Sequence, residues 1–433
     1  MRLAWVAAPL VGLAACVGAL AWSATDNADR DRYPPLDLFA DVLARVEHDY
    51  VVEVDQRKAM QGAIQGMLAS LDPHSSYMDP AEYREMQVTT RGEYGGLGIE
   101  VTSEDGVVRV VSPIDETPAA RAGVQAGDYL IAIDGQSIVG LTLNEAVQRM
   151  RGDPGTDIKI TIAREGVDSF DVTLRREVIN VRAVTWRVEG GDVGVIRIST
   201  FNERTSAMLQ DAIRGVKRDT GGRLRGVVLD LRRNPGGLLE QAVDVSDAFL
   251  DGGEIVSTRG RHSDERRNAR RGDDLAGVPM AVLIDGASAS AAEIVAGALQ
   301  DRNRALIVGT TSFGKGSVQT LIPINGGRDG ALRLTTQRYY TPAGRSIQGA
   351  GIEPDMEVAA QRIDAARLQR LGLSEADLPN ALDNDSGAQR RAPHAPDDQP
   401  PADWDQDEDY QLRRAMDFLR QGLVAQRLRA RAG

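Results

Sequence analysis

Lys315 lies between two glycines in the run Thr311-Ser312-Phe313-Gly314-Lys315-Gly316 of a 433-residue chain. Only four of its 51 lysine and arginine residues are lysines, which leaves 51 − 4 = 47 arginines. An amine can shed its proton near neutral pH and a guanidinium cannot, so a lysine kept at this place suits a general base. Upstream stands Gly286-Ala287-Ser288-Ala289-Ser290-Ala291-Ala292-Glu293, in which Ser290 is the candidate nucleophile and Ser288 its rival. Ser290 falls between the apolar run Ala281-Val282-Leu283-Ile284 and a helical pattern through Ile294, Val295, Ala298 and Leu299. A helix start aims free N–H groups at that spot, and the small neighbours let a substrate backbone approach. A serine there could equally serve only as an N-cap.

To act as a base Lys315 must be neutral, which requires burial that lowers its pKa toward about 7 to 8. Gln319 would sit about 13 Å away along a straight strand, out of reach. On a helical turn the two side chains would meet, and the amide could orient the amine. Gly236 and Gly237, in Asn234-Pro235-Gly236-Gly237 after the apolar strand Val227 to Leu231, could turn an unhindered N–H toward the Ser290 loop. With the N–H of Ala291 it would form an oxyanion hole, worth about 3 to 4 kcal/mol per donor.

The elements that must hold these residues change character along the chain. Residues 1–24 combine Met1-Arg2 with an apolar run, which reads as a signal peptide or membrane anchor and implies export. Leu13-Ala14-Ala15-Cys16 resembles a lipoprotein box, but the apolar run continues past it, so an anchor or ordinary cleavage is favoured. Cys16 is the sole cysteine, which excludes an internal disulfide and a cysteine metal site. The histidines, His48, His74, His262 and His394, have no metal-ligand spacing.

Residues 33–91 carry apolar positions at helical spacing and close on Leu71-Asp72-Pro73-His74-Ser75-Ser76-Tyr77, where Asp-Pro ends a helix. Residues 92–178 alternate short strands with glycine turns. Asp134-Gly135 marks a hairpin, and Thr142 with Glu145 forms a capping box. With its Gly95-Gly96-Leu97-Gly98-Ile99 stretch this segment resembles a PDZ domain. The resemblance implies that Gly96, Leu97, Gly98 and Ile99 receive a peptide C-terminal carboxylate, through converging backbone N–H groups and an open strand edge.

From 179 to 360 strands alternate with helices. Val193 to Ser199, Leu224 to Leu231, Glu254 to Thr258, Val278 to Asp285 and Ala305 to Gly309 read as strands, with helices over Glu203 to Arg218, Leu238 to Leu250 and Ala291 to Arg302. The pattern predicts an α/β core with a largely parallel sheet, whose functional loops gather at strand carboxyl ends. Residues 361–403, poor in apolar side chains, read as a mostly disordered linker. An amphipathic C-terminal helix follows within 404–433, free to dock on the core or on a second subunit.

The Ser290 and Lys315 runs, Leu231-Arg232-Arg233-Asn234-Pro235-Gly236-Gly237 and the PDZ-like segment together resemble the C-terminal processing peptidases, also called tail-specific proteases. The match covers roughly Leu36 to Asp355. It implies a Ser-Lys endopeptidase with Ser290 as nucleophile, Lys315 as base and then acid, Gln319 as orienting residue, and Gly236 and Ala291 as oxyanion donors. It also implies a PDZ domain that binds substrate tails and gates the site, and no metal or organic cofactor; the apolar N-terminus adds the expectation of an exported protein, in the bacterial periplasm or on the periplasmic face of the inner membrane. The partners implied are proteins or peptides with accessible C-terminal tails. An activating adaptor, a homo-oligomer and membrane anchoring through residues 3–24 are further candidates.

A net charge of −12 argues against a nucleic-acid surface. The 309–316 run approaches a phosphate-binding loop, but Gly316 stands where Ser or Thr must hold magnesium. A non-catalytic PDZ adaptor of the cell envelope is the other alternative. It gives no reason for a lone lysine between glycines.

Overall fold

The computed structural model of the chain describes residues 34–104, 106–363, 374–392, 394–405 and 407–432. The export or anchor segment expected at residues 1–24 lies outside the described residues. Among the described residues no helix is long and apolar enough to cross a membrane. Two compact units divide the chain, one up to Met67 and one from Leu68 onward. The first holds helix α1 (Pro34–Asp49) and most of α2 (Gln56–Ala69), as the apolar spacing predicts.

The second unit opens with β1 (Ser76–Met78) and α3 (Pro80–Arg91), the latter started by an Asp79–Glu82 capping box. Strand β2 (Glu93–Gly96) leads into a small domain. There β3 (Ile99–Glu104), β4 (Val107–Pro113), α4 (Pro118–Arg121), β5 (Tyr129–Ile133), β6 (Gln136–Ser137), α5 (Leu143–Met150), β7 (Asp157–Arg164) and β8 (Val167–Arg175) follow in turn. Its sheet is antiparallel throughout, in the order β3-β4-β5-β7-β8 with β6 on β5. Alternate residues Ile158, Ile160 and Ile162 point into a core with Leu97, Val110 and Leu130. β9 (Glu177–Asn180) leaves the domain paired antiparallel with β2, so entry and exit form one two-stranded ribbon.

The core then runs β10 (Val184–Glu189), β11 (Val193–Ile198), α6 (Thr205–Asp219), β12 (Gly226–Asp230), α7 (Leu239–Asp247), β13 (Gly253–Gly260), β14 (Asp264–Ala269), β15 (Met280–Ile284), α8 (Ala291–Asp301) and β16 (Leu306–Gly309). It continues with β17 (Ser317–Pro323), β18 (Ala331–Tyr340), β19 (Met356–Glu357), α9 (Tyr410–Arg420) and α10 (Leu423–Ala432). One sheet has the order β10-β11-β12-β15-β16-β19, parallel except at β10. It is buried on both faces. Ile196, Leu229, Val282 and Ile307 meet α6, α7 and α8, while Val195, Val228, Leu283 and Val308 meet Leu412, Ala415, Phe418 and Leu419 of α9. Arg232 fastens that helix by bonding both Asp230 and the α9 N-cap Asp409.

The expectation of a largely parallel core sheet is corrected by the second core sheet. β1, β18, β13 and β14, with β17 on β18, pair antiparallel throughout, and across the described strands antiparallel pairings outnumber parallel ones. The reason is local. β13 is followed by β14 and β17 by β18 with no crossover helix between, and a short connection can only reverse direction.

The stretch expected to be a disordered linker also departs from its composition. Its described residues are laid on the core by polar side chains in place of apolar ones. Glu375 is buried, Asn384 Nδ2 donates to Gln348 O at 2.7 Å, and Arg390 donates to Ser312 O at 2.6 Å.

Candidate active site

Ser290 occupies the turn between β15 and α8 with φ 55° and ψ −115°, a region that a serine enters only under strain of about 1 to 3 kcal/mol. A fully buried carboxylate, Glu293, holds it there. Glu293 Oε2 accepts from Ser290 N at 2.8 Å and from Lys315 N at 2.9 Å, while Oε1 accepts from Ser312 Oγ at 2.6 Å and Gly314 N at 2.7 Å. One side chain therefore ties the serine turn to the lysine loop. Burial pushes the Glu293 carboxyl up to about 7, against those same hydrogen bonds, which favour its ionised form. Tyr339 adds a second tie. Its hydroxyl donates to Lys315 O, and burial raises its pKa well above the usual phenol value, with the nearby Ser290 side chain opposing that rise.

Ser290, Lys315 and Gln319 line one cavity of about 440 Å³, closed by Met86, Thr89 and Thr90 of α3 and by Leu238 and Arg333. Lys315 Nζ donates to Gln319 Oε1 at 2.5 Å and to Ser317 O at 3.4 Å. Neither a straight strand nor a helical turn brings the pair together. Lys315 ends an irregular loop, and a bulge between Val318 and Gln319 re-aims the glutamine along β17. Gly316 lets the loop pass, since a Cβ there would lie 2.5 Å from Gln348 N. Burial lowers the Lys315 pKa to about 8. Glu375, Glu293 and Asp72 oppose that fall, and Arg333 adds to it.

Ala291 N–H, at the first position of α8, has no hydrogen-bond partner among the described residues. Gly236 faces it closely. A Cβ on Gly236, whose φ is +98°, would lie 2.8 Å from Ser290 Cβ and 3.0 Å from Ala291 N. The Gly236 N–H is bonded to Asn234 Oδ1 at 2.8 Å in this state. Ser288 is turned away from the cavity into hydrogen bonds with Leu231 O and Asp285. In the small domain Gly96, Leu97, Gly98 and Ile99 edge a narrow groove with Val147 and Met150 of α5. The carbonyls of Leu97 and Gly98 are tied to Ala119 N and Ile114 N.

With this geometry in place, comparison with known proteins is informative. Residues 192–358 match the model of peptidase family S41, 109–164 that of the PDZ domain, and 21–82 that of the activating protease CtpB N-terminal domain. A carboxy-terminal-processing protease of Bartonella bacilliformis is 50% identical over 420 residues, covering 95% of this chain and 94% of that protein. The chain belongs to the C-terminal processing proteases of family S41. Another relative of this protease, the carboxy-terminal processing protease CtpA of Bacillus subtilis, is 36% identical over 329 residues, covering 76% of the chain and 69% of the relative. A solved structure of a photosystem II D1 C-terminal processing protease covers 80% of the chain and 98% of its own at 27% identity, with a TM-score of 0.45.

The sequence reading of the protease gave Glu293 no part. Its signal was present, because Ser290 and Glu293 have the spacing of a capping box. Glu375 and Arg390, which brace the lysine loop through Phe313 O and Ser312 O, carried no local signal at all.

Proposed function

We propose that the protease hydrolyses peptide bonds near substrate C-termini through a Ser290–Lys315 pair, with Gln319 orienting the amine. The observation that carries this reading is the buried Lys315 amine, lowered to about 8 and held by Gln319 in the cavity that Ser290 lines. At pH 7 about a tenth of such amines are neutral, a usable fraction of base. Neutral Nζ takes the Ser290 proton as Oγ attacks the scissile carbonyl. The ammonium then returns that proton to the leaving amine, and water, activated by the same amine, releases the acyl group. The oxyanion faces Ala291 N–H, and Gly236 N–H joins it by exchanging Asn234 Oδ1 for the developing charge.

Substrate tails are proposed to bind the groove between β3 and α5. Gating is supported by the link from α5 to the cavity wall. Gln148 and Arg151 bond Glu85 at 2.6 and 3.1 Å, and the next residue of α3, Met86, lines the cavity. We place the enzyme outside the cytoplasm, on the cell-envelope side, from the apolar leader in its sequence.

The test is cleavage of an unfolded polypeptide with an apolar tail by the wild type, Ser290→Ala and Lys315→Ala. Both variants should lose at least about a thousandfold in kcat/KM, and wild-type kcat/KM should rise with pH to a plateau above about 8. Equal turnover by all three proteins would end the proposal.

A further inference from the structure

Asp72 belongs to the turn after α2 that sequence marks only as a helix stop. β1, which begins at Ser76, pairs with β18 and so carries that turn beside Thr335. The buried Asp72 carboxylate accepts from His74 N at 2.8 Å, Ser75 N at 2.9 Å and Ser75 Oγ at 2.6 Å. Burial raises its pKa, but these bonds and that of Thr335 prevail and hold it below its ordinary 3.8. It is an acceptor only. Thr335 Oγ1 must therefore donate to Asp72 Oδ1, at 3.0 Å, which leaves the threonine oxygen to accept from Gln319 Nε2, also at 3.0 Å. Gln319 Nε2 also donates to Ser317 Oγ at 3.0 Å. With its amide nitrogen committed twice, Gln319 has one orientation left, and Oε1 faces Lys315 Nζ.

We infer that Asp72 and Thr335 are positioning residues for the amine: a remote carboxylate fixes the direction of every donor from Asp72 through Thr335 and Gln319 to Lys315. The inference rests on the reading of Lys315 as the base. A reversed amide would present Nε2–H to the amine and occupy the lone pair that must receive the serine proton. The remaining charged groups around the amine are Glu375, Arg333 and Glu293, and Glu375 is itself bound by His74 Nε2 at 2.8 Å. None of these makes a hydrogen bond to Gln319 among the described residues, so the amide orientation depends on the threonine and Ser317.

The experiment measures kcat, KM and the pH dependence of kcat/KM on a dye-labelled unfolded polypeptide ending in Val-Ala-Ala. The enzymes are the wild type, Asp72→Asn, Thr335→Val, Thr335→Ser, Ser290→Ala and Lys315→Ala. Thr335→Val should lower kcat about tenfold or more with KM little changed and the acid limb in place, because the Asp72 charge remains. Thr335→Ser, which keeps the hydroxyl, should recover kcat to within about threefold of wild type. Asp72→Asn should lower kcat similarly and also move the acid limb to lower pH, since a negative charge that favours the ammonium is gone. Should Asp72→Asn fail to fold, the two Thr335 variants decide the matter alone. Wild-type kcat in Thr335→Val, alongside inactive Ser290→Ala and Lys315→Ala, would overturn the inference and leave the base assignment standing. Activity retained in Lys315→Ala would instead overturn the base assignment and the inference together.

Discussion

Replacing Lys315 with methionine should abolish cleavage and yet stabilise the fold, by an amount that depends on pH. The folded protein holds this amine at about 8, against 10.5 for an ordinary lysine. Below pH 8 both states carry the charge, and the folded state bears the whole desolvation penalty. Between 8 and 10.5 the unfolded state binds the extra proton, so wild-type stability rises with pH. Above 10.5 both states are neutral and the penalty is gone. Integrating over these two pKa values gives a penalty of about 3 kcal/mol at pH 7 and about 1 kcal/mol at pH 10. Methionine has no charge to desolvate, but it forfeits the bond to Gln319 Oε1, about 1 kcal/mol at either pH. Lys315→Met should thus be about 2 kcal/mol more stable than wild type at pH 7 and about equal at pH 10. Urea titration followed by tryptophan fluorescence at the two pH values measures the difference, and groups distant from the site cancel between variant and wild type. A wild-type-minus-variant gap that stays the same at both pH values would refute the claim that folding desolvates this amine.

Glu293→Gln should cost about 3 kcal/mol and most of kcat, because an amide nitrogen would confront donors that now converge on a carboxylate; thermal melting and turnover check both. Glu85→Ala should change stability by less than about 1 kcal/mol, while the preference for apolar-tailed over tail-less substrates falls; an unchanged ratio would separate α5 from the cavity wall. Phe418→Ala, in the buried contact of α9 with the parallel sheet, should cost about 3 to 5 kcal/mol in urea denaturation.

The sequence made some of this legible and concealed the rest for identifiable reasons. Ser290 stood out in a run of small residues at the end of an apolar strand and Lys315 as a rare lysine between glycines, and the fold brings them to one cavity. The local run does not encode the Lys315–Gln319 approach, because the bulge that permits it is set by pairing with β18. The strand at Glu254 to Thr258 was legible as a strand but not as a member of a different sheet. Periodicity reports a pleat and says nothing of its neighbours. Composition counts apolar groups, so over 361–403 it gives no sign that Asn384 and Arg390 bond backbone carbonyls of the core. Asp72 looked like punctuation because its partner Thr335 is 263 positions away.

The helix that covers the parallel sheet comes late. Val195, Val228, Leu283 and Val308 are synthesised long before Phe418 and Leu419, the side chains that shield them. A growing chain therefore passes through a stage in which the lysine and serine segments exist but one whole side of the parallel sheet has no helix over it. Burying one large apolar side chain is worth about 1.5 to 3 kcal/mol, so a platform lacking several cannot hold its loops firmly. The loops that carry Ser290 and Lys315 thereby gain a sheet buried on both faces only once residues beyond Tyr410 are in place.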